Sequence, residues 1–188
     1  LKSENSYLTN SARNYLKEFY DILDEMIEEM TEVKLTDSIS HNFIMQMIPH
    51  HMAAIEMSVN ILQYTTDMPL RNIALSIINE QTQSIKNMRD ILDSCSKLKN
   101  KDTQLSIYQS QFRQITQVMF HEMRSASATN NIDADFLNEM IPHHEGAIRM
   151  SENALYFSIC PELVPILQAI ITSQRAGVRQ MKELLNSI

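Results

Sequence analysis

The chain has 188 residues, a formal net charge of −7, and only 2 Gly and 5 Pro. A chain of this length with average usage would hold about 22 Gly and Pro together, so folds made of many short strands are excluded, as are glycine-clustered phosphate sites. Basic residues form no block, which argues against nucleic acid as a partner, and no apolar run reaches the roughly 20 residues of a membrane span.

The chain opens on Leu1 rather than Met and shows no signal peptide, which leaves room for a removed segment before it. The first predicted helix covers roughly residues 7–33, where Tyr15, Phe19, Ile22, Met26 and Met30 make one apolar face. Glu18 to Glu32 carry most of the acidic excess, and we read them as a solvated helix face. After the capping turn Thr36-Asp37-Ser38, a second helix is predicted from Ile39 to Tyr64. A third starts near Leu70, behind Pro69, and carries Ile73, Ile77, Ile78, Ile85, Met88 and Leu92. The polar stretch 96–102 reads as a linker, and helices near 104–127, 133–158 and 163–187 follow.

Shifting the chain by 93 residues aligns it with itself without a gap, giving 28 identities over the 80 positions from Tyr15 to Ser94. The longest match sets Met47-Ile48-Pro49-His50-His51 against Met140-Ile141-Pro142-His143-His144. Others include Phe19/Phe112, Met26/Met119, Met30/Met123, Met57/Met150, Gln81/Gln174 and Met88/Met181. We read a first repeat over 1–95 and a second over 103–188, each of three helices, together forming one compact domain. The predicted fold is all-α, a helical bundle of two pseudo-symmetric three-helix repeats.

The chemistry concentrates on the second helix of each repeat. Phe43, Met47, His50, Ala54, Met57 and Ile61 share one narrow stripe, and His51 lies about 100° from His50 around the helix. Met140, His143, Met150 and His144 repeat the arrangement. Pro49 and Pro142 stand one residue before each His pair, where a missing backbone N–H re-aims nearby side chains. The Glu-x-x-His motif of di-iron bundles, the His-Glu-x-x-His of zinc proteases and Cys-x-x-Cys are all absent. What repeats is Met-x-x-His, a soft, neutral donor set that suits copper, Cu(I) ahead of Cu(II), better than zinc or iron.

The candidate metal ligands are therefore His50, His51, Met47 and Met57, with His143, His144, Met140 and Met150. Met26, Met30, Met88, Met119, Met123 and Met181 stand behind them as further soft donors that serve equally well as core filler. Glu29 and Glu122 also repeat and read as solvated. His41, His121, Met45 and Met52 have no counterpart of the same type in the other repeat. Cys95 and Cys160 are not repeat-equivalent; a disulfide between them and two free thiols remain open alternatives.

The segments Phe43 to Met57 and Phe136 to Met150 resemble the signature of the domain-of-unknown-function 305 family. Gln81 to Met88 and Gln174 to Met181 echo a second element of it, although Ser84 and Gly177 stand where the family usually has Glu. The resemblance implies a ferritin-like bundle, export from the cytoplasm (periplasmic or secreted) and copper binding through His and Met in tolerance or storage. The expected function is copper sequestration or transfer without turnover, with a metal-donor or acceptor protein as partner. Two rivals stand beside it. One is a ferritin-like oxidoreductase acting on copper or iron, which would need carboxylates such as Glu29, Glu122 or Glu139 at the site. The other is a metal-free helical interaction module with exposed methionines.

Overall fold

The computed structural model describes residues 7–188, so the first six residues of the predicted first repeat, Leu1 among them, lie outside the described residues. Six helices follow one another: α1 (Asn10–Glu32), α2 (Ile39–Ile61), α3 (Met68–Cys95), α4 (Asp102–Arg124), α5 (Ile132–Leu155) and α6 (Leu163–Leu185). Side-chain caps start several of them. Thr9 accepts from the Ala12 N–H, Ser38 from His41, Asp67 from Leu70 and Asn131 from Ala134. The third helix begins earlier than predicted, at Met68, because Pro69 sits within the first turn, where no N–H is needed. α4 begins at Asp102, the last residue of the predicted linker.

α2 packs against α1, α3 and α5; α5 packs against α4, α6 and α2; α3 also meets α6. The two central helices are therefore buried nearly all round, while α1 keeps its acidic run Glu18 to Glu32 on a solvated face. One continuous apolar cluster draws on all six helices. Both α2 and α5 run unbroken through Pro49 and Pro142.

Several polar bonds recur at positions 93 apart. Asn60 donates to the Tyr15 carbonyl at 3.1 Å, and Asn153 to that of Tyr108 at 3.2 Å. Likewise the Thr36 N–H bonds to Asn42, and the Thr129 N–H to Asp135. The two asparagine bonds fix the height of α1 against α2 and of α4 against α5, and the threonine bonds brace the loop before each central helix.

One end of the bundle is closed by covalent and polar ties. Cys95 at the end of α3 is disulfide-bonded to Cys160 before α6. Beside it Asn100 accepts from the Ile39 N–H at 2.9 Å and donates to the Ser158 carbonyl at 2.8 Å. The linker is thus bound to the start of α2 and to the α5–α6 turn.

Candidate metal centre

Because α2 and α5 cross at the middle of the bundle, their histidines meet there. The rings of His50 and His143 stack with centroids 3.7 Å apart and planes 22° from parallel. His51 and His144 flank them, with centroids 5.9 and 6.0 Å from their sequence neighbours. All four histidines are buried.

Their hydrogen bonds decide which nitrogens remain free. His143 Nε2 lies 3.1 Å from the His50 carbonyl oxygen. A carbonyl has no proton to give, so Nε2 carries the proton and donates, and the lone pair of Nδ1 is left unused. His51 Nε2 pairs with the Ser84 hydroxyl at 3.0 Å. Both ring nitrogens of His50, and Nδ1 of His51, His143 and His144, make no hydrogen bond of good geometry, although the backbone of His143 lies near the His50 ring and that of Met140 near His144. Unpartnered polar atoms in a core are costly, and here they belong to the facing histidines of α2 and α5.

Burial, helped by the neighbouring histidines, holds His50 and His143 well below the ordinary imidazole value. Burial brings His51 to about 3 and His144 to about 4. All four imidazoles are therefore neutral at neutral pH, the form that ligates metal.

The same core is rich in thioethers. Met26, Met30, Met47, Met57, Met88 and their counterparts Met119, Met123, Met140, Met150 and Met181 are all buried, to 1% exposure or less. Met119 packs against the α5 backbone at Gly146, two residues after His144. A Cβ at Gly146 would collide with its sulfur, so the missing side chain lets α4 press its thioether onto α5. Gly177 does the same for His144, whose Cδ2 would lie 3.0 Å from an added Cβ. Met52, by contrast, is exposed and Met45 half-buried.

The acidic candidates separate from this centre. Glu29 and Glu122 are exposed, and Glu122 pairs with Arg149. Glu139 is buried but accepts a 2.5 Å hydrogen bond from the Tyr15 hydroxyl. Burial raises its carboxyl well above the usual range. Among the described residues, the one trio of His, Cys, Asp or Glu ligand atoms within 4.8 Å of one another is Cys95, Cys160 and Glu162, whose sulfurs are already joined. Any three-donor site at the histidines therefore draws on thioether sulfur, and the orphaned nitrogens and neutral charge fit a soft ion.

Ser84, Gly177 and the Tyr15–Glu139 bond were not singled out as site features by their own pattern. Ser84 and Gly177 stood out only as departures from the family signature, and their roles emerge once α3 and α6 are set against the histidines.

Among curated proteins no match is found. The crystal structure of a DUF305 fragment from Deinococcus radiodurans superposes with a TM-score of 0.59 at 20% identity, over 80% of this chain and 97% of that one. At that identity it speaks for the fold alone. CopM in the Ag-bound form obtained by soaking gives a TM-score of 0.60 at 28% identity, over 82% of this chain and 98% of CopM. CopM in the Cu(II)-bound form gives 0.60 at 27%, over 79% and 96%. The family described as Domain of unknown function (DUF305) matches residues 40–185, and with that match spanning most of its length this chain belongs to the DUF305 family.

Proposed function

We propose that this protein binds copper outside the cytoplasm and stores it or passes it on, with His50, His51, His143 and His144 as nitrogen donors. Met47, Met57, Met140 and Met150 supply sulfur, with Met119 and the other buried methionines in reserve. The observation that carries this reading is the stacked His50–His143 pair, buried in a core rich in thioethers with the His143 Nδ1 lone pair unused. CopM, a structural relative solved with Cu(II) and with Ag, supports it. A Met–His set favours Cu(I) over Cu(II) and does not depend on thiolates that oxidants disable. Among the described residues no helix is long and apolar enough to cross a membrane. The ion is cargo, and a donor or acceptor protein is its natural partner.

The oxidoreductase reading finds less support, because Glu29 and Glu122 face solvent and Glu139 is engaged by Tyr15. The test is a competition titration of the full chain with Cu(I), Cu(II) and Zn(II) against a chelator of known affinity. The expected order is Cu(I) first and Zn(II) last. Failure to compete for copper in either oxidation state overturns the proposal.

A further inference from the structure

We infer that the crevice between α3 and α6 is the route by which the cation reaches the histidines, with the side-chain amides of Gln81 and Gln174 as relay ligands. This rests on the copper-binding reading above.

The crevice has a volume of about 270 Å³, and Gln81, Gln174, Ser84, Asn87 and Ser173 line it with His51 at its inner wall. A water needs on the order of 10–15 Å³ of such space, so a cation with part of its hydration shell fits. Gln81 is 1% exposed, yet neither its amide oxygen nor its nitrogen has a hydrogen-bond partner. Gln174, 2% exposed, leaves its amide oxygen unpartnered as well. Leaving buried amides unpaired is unfavourable. Both amides line the same space, where their oxygens can replace water around a passing cation.

The charge of the crevice has the matching sign. Glu80 is the one charged residue in its lining, and it is exposed at the mouth. A rim carboxylate above a neutral interior draws in cations and repels anions.

The donors also form a sequence in space. Gln81, Ser84 and Met88 stand three and seven residues apart on α3, hence on one face. Ser84 Oγ is 3.0 Å from His51 Nε2. The path thus runs from amide to hydroxyl to imidazole and points on to a buried thioether. His144 does not line the crevice, and Gly177 stands where the hydroxyl would be. The ion therefore meets His51 first.

The test is stopped-flow uptake of Ag(I), an air-stable stand-in for Cu(I), by the full chain and two variants. One is Q81L/Q174L, which removes both amides. The other is A169W, which places an indole over the mouth from an exposed position and leaves the core untouched. Both variants are expected to slow association about tenfold while equilibrium affinity stays within about threefold, because a relay changes rates and not the resting site. Unchanged association rates in both variants overturn the route and leave the metal site standing. An equal loss of affinity in Q81L/Q174L, with A169W unaffected, makes the amides ligands of the resting site and also overturns it. A wild-type chain that takes up neither Ag(I) nor copper removes the binding reading, and the route with it.

Discussion

His50 and His143 lie 93 residues apart in the chain, yet their rings stack at 3.7 Å, and His143 donates a hydrogen bond to the His50 carbonyl. Two donors this close do not act independently. H50L and H143L fill the ring volume and remove the nitrogens. Each should weaken Ag(I) and Cu(I) affinity by about tenfold or more, roughly 1.4 kcal/mol or above. The double variant should lose less than the sum of the two, as contacting residues do. Competition titrations of all four forms check this. Strict additivity would indicate separate sites in the two halves.

The buried sulfurs permit a cleaner substitution. Replacing Met47 and Met140 by Leu conserves volume and should cost less than about 1.5 kcal/mol of stability per site. Cu(I) affinity should fall while Cu(II) affinity is little changed, since thioether is the soft donor and imidazole serves both states. Parallel titrations under reducing and oxidising conditions would show the split. Equal losses for both ions would point to a packing effect.

Acid should unfold the protein from the centre outwards. His51 at about 3 and His144 at about 4, with His50 and His143 also depressed, bind fewer protons folded than unfolded from those values up to the ordinary 6.5. Stability therefore rises with pH across that window and drops as pH falls below about 6.5. Glu139, raised by burial, acts the other way: its contribution is present below the ordinary 4.5 and is lost as pH climbs through its folded value. Four histidines outweigh one carboxyl, so calorimetric Tm should decline from pH 7 to pH 5. The decline should be shallower in H50L/H143L. A Tm flat over that range contradicts the neutral-imidazole core.

The Cys95–Cys160 bond closes a loop of 65 residues in sequence separation. On the chain-entropy account, a loop of that size is worth roughly 4 kcal/mol, and measured values often fall to about 2. C95S/C160S, or the wild type under a dithiol reductant, should melt several degrees lower. Metal affinity should stay close to wild type, because the bond sits at the end of the bundle and the histidines at its middle. A large loss of affinity would show that the closed end holds α2 and α5 in register.

The helices were readable from the chain because the apolar period runs through them and capping or turn residues precede several. Tyr15, Phe19, Ile22, Met26 and Met30 mark one face of α1, and Ser38 caps α2; Asp67, the cap of α3, carried no such signal ahead of Pro69. His50 and His51 were readable as candidates because the pair recurs at His143 and His144. Their meeting across α2 and α5 was not readable. A helical wheel sorts residues within one helix and does not say which stripe another helix covers. The Cys95–Cys160 bond was one of two alternatives left open, because neither cysteine has a repeat partner and the chain does not say that the end of α3 meets the start of α6. Ser84 and Gly177 differ in type at equivalent positions, so repetition did not mark them, and their contacts with His51 and His144 belong to tertiary packing.

The bond from His143 Nε2 to the His50 carbonyl also supplies a natural clock. A fully buried ring proton, held by a carbonyl across the α2–α5 contact, exchanges with solvent when the two helices part, so its lifetime in heavy water reports how often they separate. A bound ion that pins the histidines should lengthen that lifetime without changing the fold, and the imidazole proton would report occupancy from inside the bundle.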